Sequence, residues 1–130
     1  MMITKGYKQL VDEAEAVIET LSVEAAKNLH GDENVTFIDI RDVREVKREG
    51  KVAGALHAPR GMLEFWVDPD SPYHRDVFAT GNKFVLYCAS AWRSALAVKA
   101  LQEMGFGPIA HIDGGFTAWK EADGPVDAPE

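Results

Sequence analysis

The stretch from Phe84 to Ser94 limits the possible folds more than any other part of the chain. Phe84-Val85-Leu86-Tyr87 is a continuous apolar and aromatic run, the pattern of a strand buried on both faces of a parallel sheet, and it ends in the only cysteine, Cys88. Ala95, Val98, Leu101 and Met104 then recur at helical spacing, with Gly105 as a stop. The residues between, Cys88-Ala89-Ser90-Ala91-Trp92-Arg93-Ser94, form a tight connection from the carboxyl end of a strand to a helix start. A helix start offers unpaired N–H groups and the positive end of the helix dipole, which suit an anion or a nucleophilic sulfur. Taken alone, a cysteine after an apolar strand is more often a small buried hydrophobe. Arg93 weighs against that reading. A guanidinium at a helix start is opposed by the dipole and calls for an anionic partner, either a substrate or a neighbouring carboxylate.

Strands and helices alternate through the remainder. Ile3, Tyr7, Leu10, Val11, Ala14, Val17 and Ile18 share one stripe of an amphipathic helix within residues 1–19. This extension either packs back on its own domain or provides a homodimer contact. Ile18 to Leu21 is a short strand, Ser22 a cap for a helix from Val23 to Leu29, and Val35 to Ile40 a second buried strand. Asp42 caps a helix from Val43 to Glu49, and Gly50 ends it. Residues 60–82 are the least regular part, with Phe65, Trp66, Tyr73 and His74 available to shape one side of a pocket. Ile109 to Ile112 is a last strand, Asp113-Gly114-Gly115 a second tight connection, and Phe116 to Ala122 a last helix. Gly124, Pro125 and Pro129 predict a fraying tail over residues 127–130. The alternation predicts an α/β domain over residues 20–126, with a mainly parallel sheet and helices on both faces. Ligands in such sheets bind beyond the carboxyl ends of the strands, where Asp39-Ile40-Arg41, Cys88 to Arg93, and Asp113-Gly114-Gly115 converge on one rim.

The balance of residues narrows the function classes. A net charge of −7 over 130 residues, with no basic stretch, argues against a nucleic-acid or anionic-membrane surface. One cysteine excludes an internal disulfide and a multi-thiolate metal cage. His30, His57, His74 and His111 show no ligand-like i, i+4 pairing, so they read as structural or solvent-facing and no metal is expected. No apolar segment has signal-peptide or membrane-spanning length, and the expected compartment is the cytoplasm, where a thiol stays reduced.

Four segments, in order, resemble the rhodanese (sulfurtransferase) family over about Leu21 to Pro125. They are Phe37-Ile38-Asp39-Ile40-Arg41-Asp42 with Glu45, the run from Gly50 to Pro59, the loop from Tyr87 to Ser94, and Gly114-Gly115-Phe116-Thr117-Ala118-Trp119. The resemblance implies a five-stranded parallel sheet and a cysteine that takes the outer sulfur of a donor such as thiosulfate as a persulfide. That sulfur then passes to a thiophilic acceptor, either a small molecule such as cyanide or a thiol, or a protein. On this footing Cys88 is the nucleophile, and the N–H groups of Ala89, Ser90, Ala91, Trp92, Arg93 and Ser94 bind the persulfide and the donor's anionic group. Arg93 adds charge, Asp39 and Arg41 support the loop, and no metal or organic cofactor is needed. Ala91 stands where the family often has glycine, Trp92 is bulky for such a loop, and Lys51 replaces a common histidine. Two rival readings are a non-catalytic or sulfur-relay interaction module and a phosphatase. The phosphatase is disfavoured because only four residues separate Cys88 from Arg93, where phosphatases of related fold have five.

Overall fold

The computed structural model describes residues 2–129. Their elements run α1 (Tyr7–Glu15), β1 (Glu19–Leu21), α2 (Val23–Leu29), β2 (Val35–Asp39), α3 (Val43–Glu49), β3 (Lys51–Val52), β4 (Leu56–His57), α4 (Leu63–Val67), β5 (Lys83–Tyr87), α5 (Trp92–Glu103), β6 (Ile109–Ile112), α6 (Gly115–Glu121) and β7 (Val126–Asp127). Single 3₁₀ turns cover Arg60–Met62 and Asp76–Ala79. Strands β1, β6, β5, β2 and β4 form one all-parallel sheet in that order, and β3 pairs antiparallel with β7. The predicted α/β fold with its five-stranded parallel sheet is therefore the observed one.

Local rules account for most of the elements. The Ser22 side chain accepts the Ala25 N–H and starts α2, while Asp42 and Glu45 complete a reciprocal capping box that starts α3. Alternation along β5 divides the core into two layers. Phe84, Leu86 and Cys88 join Ile38, Ile40, Leu63, Val98 and Leu101 on the α4–α5 side of the sheet. Val85 and Tyr87 join Phe37, Ile112, Phe116 and Trp119 on the α2–α6 side. With both faces covered, the apolar run into Cys88 has no solvent-facing positions.

Helix α1 packs back on its own domain, seating Val11 and Ala14 against Ala95 of α5, with Ile18 and Leu96 at the edge. It is shorter than the periodicity suggests. Tyr7, Leu10 and Val17 stay exposed, because the stripe is wider than the strip of α5 available to it. The tail differs from the sequence-based expectation. Asp127 does not fray: β7 pairs with β3, and the Asp127 carboxylate accepts the Gly54 N–H at 3.0 Å and binds Lys51 Nζ at 2.9 Å. Just before β7, the Pro125 carbonyl accepts the Trp119 indole N–H at 2.8 Å and the Ala53 N–H at 3.0 Å. Glycine and proline mark a turn at this point, but the partner strand lies some seventy residues earlier and local signals cannot see it. No helix among the described residues is long and apolar enough to cross a membrane.

One charged pair lies inside this core. Asp39 and Arg41 are both 0 % exposed, and Arg41 meets the carboxylate through Nη2 at 2.6 Å and Nε at 3.0 Å. Nη2 also donates to the Gly50 carbonyl at 2.7 Å, and the guanidinium carbon lies 4.4 Å from the Phe116 ring centroid. Nη1 is buried without a hydrogen-bond partner, so the face of Phe116 is its compensation. Burial opposes the charge, but the hydrogen bond and attraction from Asp39 keep the Arg41 pKa above its ordinary value. Removing one member would leave the other charged and unpaired in the core. Arg41→Met is expected to cost about 3–5 kcal/mol in urea unfolding, and a loss below about 1 kcal/mol would show that the pair does not carry the rim of the sheet.

Candidate active site

Cys88 is the first residue past β5, and its Sγ accepts the Ala91 N–H at 3.2 Å and lies 3.7 Å from Ser94 Oγ. The residue is 1 % exposed, so the sulfur forms the floor of the loop. An inert core cysteine needs no N–H aimed at its sulfur. The loop closes tightly because Ala91 takes φ +89°, a left-handed conformation, and its carbonyl then accepts the Ala95 N–H at 3.1 Å to begin α5. The N–H groups of Trp92, Arg93 and Ser94 form the first turn of α5, where helices leave their donors unpaired. The dipole of this twelve-residue helix therefore points its positive end at the sulfur.

The loop's carbonyls are turned the other way. Phe116 N–H donates to the Cys88 carbonyl at 2.8 Å, and Thr117 N–H donates to the Ala89 carbonyl at 3.2 Å. This requires the start of α6 to press against the loop, which only glycine permits. A Cβ on Gly115 would lie 2.6 Å from the Cys88 oxygen and 2.7 Å from that of Ala89, at a φ of +59°. Gly114-Gly115 thus acts on the Cys88 loop directly, as two helix starts meeting back to back.

Each residue singled out in the sequence has a definite place. Ala89 is half-buried and Ser90 exposed at the loop's crest. Trp92 does not enter the core. It is 53 % exposed at the start of α5, where the Tyr7 ring of α1 leans on it at a centroid distance of 4.9 Å. Arg93 turns to α3 and binds Glu45 through two hydrogen bonds, at 2.7 and 3.0 Å. The Glu45 hydrogen bond is the main cause raising the Arg93 pKa, and a lesser contribution comes from Cys88 itself. Glu45 is lowered in turn, chiefly by its hydrogen bond with Arg93. The Ser94 side chain is fully buried, with Oγ 2.8 Å from His111 Nδ1 and 3.7 Å from Cys88 Sγ, so toward a bound donor only its N–H is available, while its hydroxyl lies against the sulfur itself. Asp39 and Arg41 lie on the opposite face of the sheet from Cys88, where the Arg41 guanidinium faces the ring of Phe116, the residue whose N–H meets the Cys88 carbonyl. His74 lines a groove of about 380 Å³ with Phe78, Met104 and Phe106, at the far end of α5 from Cys88, and so does not shape this site.

Sequence reasoning passed over Glu45 as a partner of Arg93 and over His111. The signal for His111 was present: it is the one polar side chain in the four-residue strand Ile109-Ala110-His111-Ile112, every residue of which is buried. Among the described residues, no cluster of three or more metal-ligating side chains occurs.

Alanine in the left-handed region carries roughly 1–2 kcal/mol of strain, while glycine there gives back roughly 0.5–1 kcal/mol through the freer unfolded chain. Ala91→Gly is therefore expected to leave urea stability unchanged or raise it by up to about 1 kcal/mol. A clear loss of stability would mean that the Ala91 methyl packs favourably enough to outweigh its backbone strain.

The Rhodanese-like domain family matches residues 22–122. A sulfurtransferase of Allochromatium vinosum is 32% identical over 114 residues, which cover 88% of this chain and 98% of that protein. Among solved structures, the polysulfide-sulfur transferase of Wolinella succinogenes, a homodimer, superposes with a TM-score of 0.70 at 32% identity, covering 93% of this chain and 86% of that one. A Rhodopseudomonas palustris protein of unknown function, described as a possible tyrosine phosphatase, superposes with a TM-score of 0.95 at 51% identity and covers 98% of both chains. With Cys88 held between two helix starts at the carboxyl rim of a five-stranded parallel sheet, the chain belongs to the rhodanese-like domain family of sulfurtransferases.

Proposed function

We propose that the protein transfers sulfane sulfur through a persulfide on Cys88. The observation that carries this reading is the Ala91 N–H aimed at Sγ from a loop whose Cys88 and Ala89 carbonyls are taken by the N–H groups of α6. The Cys88 thiolate attacks the outer sulfur of a donor such as thiosulfate, and the S–S bond breaks with its electron pair leaving on sulfite. The terminal sulfur of the new persulfide then occupies the mouth of the loop, where the N–H groups of the first turn of α5 offset its charge. A thiophilic acceptor, cyanide or a thiol, takes that sulfur and returns the thiolate. Two half-reactions on one sulfur give ping-pong kinetics. The name of the Wolinella relative makes polysulfide the second donor to test.

The Rhodopseudomonas relative brings phosphoryl transfer into consideration. Four residues between Cys88 and Arg93 make a small cradle, and the Arg93 guanidinium is held by both Glu45 oxygens. Residues 88–94 include no carboxylate or histidine able to protonate a leaving alkoxide. These features favour sulfur over phosphate. In a non-catalytic module the N–H on Sγ and the helix start behind it would have no use.

Because Cys88 is the sole thiol, intact mass reads the reaction directly. Thiosulfate or polysulfide is expected to add one sulfur atom that cyanide or dithiothreitol removes, with no gain in Cys88→Ala. Absence of the adduct with both donors, or hydrolysis of p-nitrophenyl phosphate that Cys88→Ala abolishes, would replace this reading. Glu45→Gln removes the charge that holds the Arg93 fork in place beside Cys88 and leaves Sγ where it is, so the adduct should still form, but more slowly by roughly tenfold, the scale of one charge-assisted hydrogen bond. An unchanged rate of sulfur uptake would remove the pair from the mechanism. The same pair sets an acid limit. Because the Arg93 hydrogen bond holds Glu45 below its ordinary range, the pair stays intact through that range and is lost only as pH falls through the lowered Glu45 pKa beneath it.

A further inference from the structure

Behind the sulfur lies a line of polar atoms that the transfer chemistry above does not use. Ser94 Oγ is 3.7 Å from Cys88 Sγ and 2.8 Å from His111 Nδ1, and His111 Nε2 is 3.0 Å from Thr20 Oγ1. The first three residues are buried, His111 and Ser94 completely, whereas Thr20 is exposed on the edge strand β1. The register of the sheet builds this line: β6 pairs with β1 so that His111 lies directly opposite Thr20, and α5 passes over β6 so that Ser94 covers the ring.

Donor and acceptor counting allows two arrangements of the chain. A neutral imidazole has one donor and one acceptor nitrogen. With Cys88 as a thiol, S–H donates to Ser94 Oγ, the Ser94 hydroxyl donates to Nδ1, and Nε2–H donates to Thr20. With Cys88 as a thiolate every bond reverses: the Thr20 hydroxyl donates to Nε2, Nδ1–H donates to Ser94 Oγ, and the Ser94 proton points at sulfur. Passing from the first arrangement to the second moves one proton along each link and releases one at Thr20 to water, leaving the electron pair on Sγ. No other reactant is required.

We propose that His111 is a positioning residue for the Cys88 nucleophile, aiming the Ser94 hydroxyl at Sγ and connecting the enclosed thiol to solvent at Thr20. This rests on the reading of Cys88 as a nucleophile, but not on any sulfur donor. Burial lowers the His111 pKa, against a smaller opposing effect of Asp113, which favours the neutral ring that the chain needs. The other charge bearing on Cys88 is Arg93, which is held by Glu45. Neither of these residues belongs to the chain of hydrogen bonds.

The experiment is the pH profile of thiolate formation at Cys88, read by ultraviolet thiolate absorbance and by the rate of iodoacetamide alkylation in the full chain. Ser94→Ala and His111→Phe should each move the profile upward and slow alkylation at neutral pH about tenfold, the scale of one hydrogen bond to an ion. The Ser94→Ala/His111→Phe double variant should be no slower than Ser94→Ala, because both changes break the same line. Thr20→Val is close to isosteric, sits at the surface and leaves the core intact, so it serves where His111→Phe does not fold, and it should shift the profile in the same direction by a few-fold in rate. Additive effects in the double variant, or an unchanged profile in Thr20→Val and in any folded His111 variant, would overturn the proposal. Variant profiles that shift as expected, in a protein that takes no sulfur from thiosulfate or polysulfide, would uphold the relay and reject only the proposed transfer.

Discussion

The contact on which the site depends is the meeting of the α6 start with the back of the Cys88 loop. Two N–H groups, those of Phe116 and Thr117, take the carbonyls of Cys88 and Ala89. A peptide unit has two ends, so fixing the carbonyl on one side of the loop fixes the following N–H on the other. The polarity of the sulfur's surroundings is thus decided behind the loop by a helix that does not contribute a side chain to it. The close approach needs Gly115, and Phe116, the residue that donates to Cys88, also lies over the Arg41 guanidinium. The Asp39–Arg41 pair, the Phe116 ring and the loop's carbonyls form one stack through the sheet's rim. A buried charge far from the chemistry can in this way hold a backbone orientation next to it.

Much of this arrangement was legible in the sequence, and the reasons are physical. The run Phe84 to Tyr87 is buried on both faces and so shows no alternation, which marks a central parallel strand. Ser22 and Asp42 announce helix starts because their side chains satisfy donors only a few residues away. Interactions of that range leave a mark in the local pattern. The pairing of Arg93 with Glu45 spans 48 residues and that of Thr20 with His111 spans 91, and neither leaves one. The fate of Asp127 was obscured for the same reason, since β3 lies far back along the chain. Trp92 was ambiguous for another reason. A tryptophan can serve as a wall or as filling, and here it is not filling, because it stays exposed beside Tyr7 of α1.

The two departures within the loop, Ala91 and Trp92, each have a local partner. Ala91 adopts the backbone conformation that glycine would take more easily, and it does so because Sγ on one side and the Ala95 N–H on the other both bond to it. Trp92 follows directly and meets the Tyr7 ring of α1. Through this contact, and through Val11 and Ala14 against Ala95, α1 is tied to the helix that carries the site.

The recessed position of Cys88 bears on how this molecule behaves in air. A disulfide needs two sulfurs about 2.05 Å apart with their Cβ atoms about 3.8 Å apart, and a sulfur on the floor of a closed loop cannot meet a second copy at that distance. With no other thiol in the chain, covalent dimers are sterically barred while the fold is intact. Oxidative damage must then come from species small enough to enter, such as peroxide, and would end in oxygen acids of sulfur rather than in cross-linked protein.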